Sequence, residues 1–136
     1  MAQIPEKVKE LFKKQQTFVI ATSSKEGVPN AVPMGTVKML DDETIVISNQ
    51  FWKKTLQNLS ENPEIAITFW EGFKGYQIKG DCELMTEGKV FEETAAWTKE
   101  VGKQLGMPLI SKGVALIKVK EVYSVTPGPE AGKKLV

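Results

Sequence analysis

The sequence predicts a mainly β protein, with six antiparallel strands curled into a closed or partly closed barrel and helices inserted singly between them. Three observations carry this prediction. Short runs rich in β-branched and aromatic residues, such as Phe18-Val-Ile-Ala-Thr22 and Thr44-Ile-Val-Ile-Ser48, recur between turn signals. The first three runs follow one another through tight connections, which reads as an antiparallel meander. Strands and helices do not alternate, as a doubly wound parallel sheet would require.

The elements follow in order. Pro5 to Lys14 places Val8, Leu11 and Phe12 at helical spacing among charges, with Pro5 near the first turn. Thr17 to Ser23 is the first strand, and Lys25-Glu-Gly27 turns the chain into a second extended run, Val28 to Leu40. Asp41-Asp42 leads into the third strand, Thr44 to Ser48. A helix follows from Phe51 to Glu61, with Trp52, Leu56 and Leu59 on one face, and Asn62-Pro63 stops it. Glu64 to Trp70 is the fourth strand, Glu71 to Gly75 a loop, and Tyr76 to Met85 the fifth strand. The third helix runs from Lys89 to Leu105, opened near Glu87-Gly88 and closed by Gly106-Met-Pro108. Gly113 to Thr126 is the last strand. Residues 127–136 are too rich in proline and glycine for regular structure, and the whole chain, 1–136, reads as one domain.

Bulk properties narrow the function. Eighteen basic and seventeen acidic side chains leave a formal charge of +1, so no global field recruits nucleic acid or an acidic membrane. No stretch approaches the roughly 20 apolar residues of a membrane helix, and the N-terminus has no secretory h-region. The single cysteine, Cys82, has no partner for an internal disulfide, which fits a cytoplasmic location. The absence of histidine removes serine–histidine and cysteine–histidine nucleophiles and every imidazole metal site. Redox or group-transfer chemistry therefore has to come from a bound organic cofactor.

The informative stretch is Ser48-Asn-Gln-Phe-Trp-Lys-Lys-Thr-Leu-Gln-Asn58. Ser48 or Asn49 can cap the helix, with Lys53, Lys54 and Thr55 in its first turns. Free amides at the positive end of a helix dipole, two ammonium groups and a hydroxyl together suit a phosphate. The same residues also read as an ordinary capped helix with solvated lysines. A second feature is Ala31-Val-Pro-Met-Gly-Thr-Val37, where Pro33 and Gly35 interrupt a strand and expose backbone to the edge of a flat heterocycle. It reads equally as an edge strand blunted against aggregation. Trp52, Trp70, Phe73, Tyr76 and Trp97 suit ring stacking, but large aromatics serve core and interface as well, and none is assigned to a ligand.

Taken in order, these segments resemble the FMN-binding split barrel family of pyridoxamine 5′-phosphate oxidase, and its short, minimal FMN-binding members above all. The likeness runs through Phe18-Val-Ile-Ala-Thr22 with Gly27, Gly35-Thr-Val-Lys38, Ile45-Val-Ile-Ser-Asn49, Lys54-Thr-x-x-Asn58, the Asn62-Pro63 stop and a strand ending at Gly80. It implies a six-stranded split β-barrel that forms a homodimer, with FMN at the subunit interface. Lys54 and Thr55 would hold the FMN phosphate, assisted by Ser48 and Asn49, with Lys53 beside them. Val32, Pro33, Met34, Gly35 and Thr36 would line the isoalloxazine, and Met107 to Ile110, or the tail after Pro127, would reach the partner's flavin. The oxidase itself uses arginine and histidine residues in a longer C-terminal region; here histidine is absent and lysines stand for the phosphate-binding arginines. The resemblance thus implies a small FMN-dependent oxidoreductase of unknown substrate rather than a true pyridoxamine 5′-phosphate oxidase. Its alternatives are a non-catalytic FMN-binding or electron-transfer protein, a deazaflavin-binding barrel, and a haem binder, which the lack of histidine weakens. A barrel for single-stranded nucleic acid, with Lys9, Lys13, Lys14, Lys53, Lys54 and Trp52, conflicts with the near-neutral charge.

Overall fold

A computed structural model describes residues 2–136. In chain order the elements are α1 (Glu6–Lys14), β1 (Phe18–Ser23), β2 (Pro29–Met34), β3 (Val37–Met39), β4 (Thr44–Asn49), α2 (Lys54–Glu61), β5 (Glu64–Glu71), β6 (Lys74–Met85), α3 (Lys89–Leu105) and β7 (Gly113–Ser124). All seven strands belong to one antiparallel sheet in the order β2-β1-β5-β6-β7-β4-β3. The sheet curls as a half-barrel, and chain connectivity shows why. Strands β2 and β3 lie at its two opposite edges, yet only Gly35 and Thr36 separate them. Three residue steps span at most about 10–11 Å, so the edges must approach each other at that point.

The count of seven corrects the six expected. The run Val28 to Leu40 is not one strand: it pairs with β1 as far as Met34, crosses at Gly35-Thr36, and pairs with β4 from Val37. Pro33 offers no amide and Gly35 lacks a side chain, so the ladder breaks where the sequence is irregular. Two smaller expectations also change. Glu71 and Lys74 pair directly, which reduces the expected loop to a two-residue turn, Gly72-Phe73, with Gly72 at φ 61°. The Pro/Gly tail, though mostly turns, folds back on β7: Leu135 N–H donates to Val122 O (2.7 Å) and Ser124 N–H to Lys133 O (2.9 Å). Leu135 packs against the core there.

The core follows from strand alternation. Phe18, Ile20, Ile65, Ile67, Phe69 and Ile78 alternate with partly exposed neighbours on β1, β5 and β6 and are at most 4% exposed. Helix α1 adds Val8, Leu11 and Phe12, and Phe12 meets Phe18 and Phe69 at ring-centroid distances of 4.6 and 5.4 Å. Truncating Phe69, fully buried, costs about 3–5 kcal/mol. Strand β4 differs from the others because Ile45 to Asn49 are all buried. Ile45 and Ile47 face the core cluster, while α3 packs over β4 and β7 from the other side.

Candidate cofactor site

The crossing at Gly35-Thr36 and the start of α2 meet at one cleft of about 530 Å³. Nine of the residues proposed from the sequence line it: Val32, Pro33, Met34, Gly35, Thr36, Ser48, Lys53, Lys54 and Thr55. The tenth, Asn49, does not. It is buried beside the cleft, where its Oδ1 accepts from Trp52 N–H (2.9 Å) and its carbonyl from Lys112 N–H (2.7 Å).

That contact corrects the expected cap. Helix α2 begins at Lys54, not Phe51, and neither Ser48 nor Asn49 caps it. Asn49 instead closes the turn that precedes the helix, and Lys53 occupies the cap position with no side-chain hydrogen bond. The first-turn amides, which have no intrahelical acceptor, are therefore free to bind an outside one. Among the described residues neither Lys53 nor Lys54 forms an ion pair, and no carboxylate lines the cleft. Two ammonium groups and a helix N-terminus make this end of the cleft strongly cationic.

Hydrogen bonds fix the walls. Asn58 Nδ2 donates to Thr22 Oγ1 (3.0 Å, buried), which docks α2 on β1. Asn30 Nδ2 donates to Thr55 Oγ1 (3.3 Å), which ties β2 to the first turn of α2. The Thr36 hydroxyl donates to Ser48 O (3.1 Å) and accepts from Gln50 Nε2 (3.1 Å), so it holds the crossing against β4. Ser48 Oγ donates to Ser111 Oγ (2.8 Å). The Thr36 and Ser48 hydroxyls thus have structural partners, while the outer edge of β2, whose one strand neighbour is β1, and the Lys53 and Lys54 side chains are open to a ligand.

Sequence reasoning missed Asn30, Gln50, Phe51 and Trp52 as lining residues. Asn30 left one signal, a turn-forming amide inside a strand. The ring of Phe51 is 70% exposed at the cleft, and Trp52 packs partly on the core. Elsewhere, burial pushes the Cys82 thiol up to about 12, which leaves it protonated and a poor nucleophile at neutral pH. Among the described residues no cluster of three metal-ligating side chains occurs, and no helix is long and apolar enough to cross a membrane.

A family profile described as pyridoxamine 5′-phosphate oxidase matches residues 4–126. The chain belongs to that family. An uncharacterised protein of Methanocaldococcus jannaschii is 41% identical over 117 residues, covering 84% of this chain and 76% of that protein. Among solved structures, HupZ of Group A Streptococcus superposes with a TM-score of 0.79 at 28% identity, covering 95% of this chain and 99% of HupZ. An FMN-binding protein of Syntrophomonas wolfei shares the fold at TM-score 0.72 and 16% identity, with 85% and 80% of the two chains covered. An F420 reductase (TM-score 0.67, 15% identity, 88% and 98% covered) and the heme storage protein HutZ of Vibrio cholerae (0.68, 14%, 90% and 95%) share it too. One family fold thus serves proteins of several cofactors.

Proposed function

We propose that this chain is an FMN-binding flavoprotein, a small oxidoreductase that works as a homodimer with the flavin at the subunit interface, in a reducing cytoplasmic setting. The observation that supports it best is the meeting, in one cleft, of irregular strand backbone at Val32 to Thr36 and a cationic helix start at Lys53-Lys54-Thr55. The cleft volume lies within the ~300–1,000 Å³ range of cofactor sites. Lys54 and Thr55, with the first-turn amides, bind the phosphate; Lys53 adds charge at its rim; Ser48 and Asn49 hold the turn that aims them. The backbone of Val32, Pro33, Met34 and Gly35 takes the edge of the ring system. FMN, when bound, supplies one- and two-electron redox chemistry.

The cleft walls of one subunit carry no carboxylate, histidine or cysteine, and the proposed chemistry uses no side-chain acid or base there. The chain positions and polarises rather than transferring protons. Pyridoxamine 5′-phosphate oxidation is not proposed, because the histidine that the oxidase uses on its substrate has no counterpart here. A deazaflavin is the second reading. Its support is the F420 reductase of the same fold, and a cationic helix start serves its phosphate equally well. A non-catalytic or electron-transfer role keeps the same site and lacks only the substrate.

The test is absorption spectroscopy of the purified protein, before and after FMN addition and desalting, with Lys54→Ala/Thr55→Ala alongside. Retained flavin bands near one per chain, lost in the folded double variant, are expected. Undiminished FMN uptake by that variant removes the phosphate assignment, and uptake of F420 in place of FMN selects the deazaflavin.

A further inference from the structure

The inward side of β2 carries a polar residue where strand alternation calls for an apolar one. Asn30, Val32 and Met34 are the half-buried positions of that strand, and Pro29, Ala31 and Pro33 between them are exposed. Asn30 lines the cleft and lies across the β1–β2 ladder from Thr22. Two asparagine–threonine pairs therefore stand side by side between these strands and α2. Asn58 on the helix donates to Thr22 on β1 (3.0 Å), and Asn30 on β2 donates to Thr55 on the helix (3.3 Å). The first pair is buried outside the cleft and docks the helix; both members of the second line the cleft.

The second pair decides which way the Thr55 hydroxyl can bond. A hydroxyl has one hydrogen to give and two lone pairs with which to accept. Within a helix that hydrogen can go to the carbonyl four residues back, as Ser60 gives its own to Leu56 O (2.8 Å) and Thr98 to Thr94 O (2.8 Å). Thr55 stands in the first turn of α2, and four residues back is Phe51, outside the helix. Thr55 is only 3% exposed, and among the described residues its Oγ1 accepts from Asn30 and donates to none. One lone pair is taken, and the hydrogen is left for an acceptor in the cleft.

We infer that Asn30 is a positioning residue for the phosphate: by donating to Thr55 it turns that hydroxyl into a donor to the anion. The inference rests on the FMN reading of the cleft. The Thr55 hydroxyl then joins the Lys53 and Lys54 ammonium groups and the first-turn amides, all of which give hydrogens. That set favours the oxygens of an ionised phosphate, which only accept, over the terminal hydroxyl of riboflavin, which also has a hydrogen to give.

FMN and riboflavin are the probes, titrated by calorimetry into the intact chain as wild type, Asn30→Ala, Thr55→Val and the double variant. Phosphorus-31 resonances are recorded for bound FMN, and far-UV circular dichroism checks that each variant is folded. Asn30→Ala should lower FMN affinity about threefold to tenfold, leave riboflavin affinity within about twofold and shift the phosphorus resonance. Thr55→Val should lower FMN affinity about tenfold or more, and the double variant should do no worse than Thr55→Val alone. Unchanged FMN affinity in Asn30→Ala overturns the inference, as does an Asn30→Ala loss that persists in full on top of Thr55→Val. Equal losses in the two single variants with an unmoved phosphorus resonance overturn it too, because the bond would then only dock β2 on α2. A wild type that takes up neither flavin, or binds riboflavin as tightly as FMN, removes the phosphate reading and this inference with it; the three earlier results leave that reading standing.

Discussion

Two cavities of this chain are built from opposite ends of helices. The cleft sits at the start of α2, where first-turn amides and Lys53 and Lys54 gather positive charge around exposed strand backbone. The other, a groove of about 740 Å³, sits at the end of α3, where Gly102 and Gly106 fold the chain back on an apolar surface. One is specified by polar groups left without partners, the other by the absence of side chains. They adjoin: Ser48 lines the cleft, Ser111 lines the groove, and their hydroxyls are 2.8 Å apart. The difference teaches that two neighbouring cavities need share no chemistry when each is set by its own helix terminus.

Three perturbations test that separation, and a fourth tests the core beside it. The largest effect is expected from Lys54→Ala/Thr55→Ala, which removes two groups that bond a charged phosphate; at roughly 1.5–3 kcal/mol each, FMN affinity falls about a hundredfold or more. Calorimetric titration with FMN measures this. Gly102→Ala should destabilise the protein by about 1–3 kcal/mol, since the new methyl meets backbone rather than a flexible side chain. Thermal unfolding measures this, while FMN binding holds; a parallel loss there would break the comparison.

Ser48→Ala removes the one hydroxyl contact between the two cavities and should cost about 1 kcal/mol of stability. Since Ser48 helps hold the turn that aims the phosphate-binding residues, FMN affinity in this variant should fall about threefold to tenfold in the same titration. The smallest effect concerns Cys82. Its folded-state pKa, about 12, lies above the ordinary value of 9.0, so the neutral thiol's contribution to stability is complete below pH 9 and declines as pH rises towards 12. Denaturant midpoints of wild type and Cys82→Ala should therefore converge across that alkaline window and keep a constant gap from pH 7 to 8.

Much of this was legible in the sequence. Asn62-Pro63 and Gly106 end helices where expected, because proline and left-handed glycine act locally. Lys54 and Thr55 were legible for the same reason, lying side by side at a helix start. The change of edge between β2 and β3 was not, although Pro33 and Gly35 marked the irregularity. Which edge a strand joins depends on a partner distant in the chain: β3 pairs with the nearby β4, but β4 takes its place in the sheet from β7. Asn30 escaped notice likewise, since it meets Thr55 across 25 residues. The cap was misassigned because Asn49 has the right side chain for a cap but sits one turn too early, bound to Trp52.

The three tryptophans fall in three different surroundings. Trp52 lines the cleft, Trp97 lies on α3 beneath the Lys38 ammonium at 5.4 Å, and Trp70 is 54% exposed near the β5–β6 turn. The chain thereby carries its own optical reporter. A flavin entering the cleft should quench the emission of Trp52, which lines it, by energy transfer. A variant that keeps this indole alone would turn the arrival of the flavin into a signal of its own, with no dye attached.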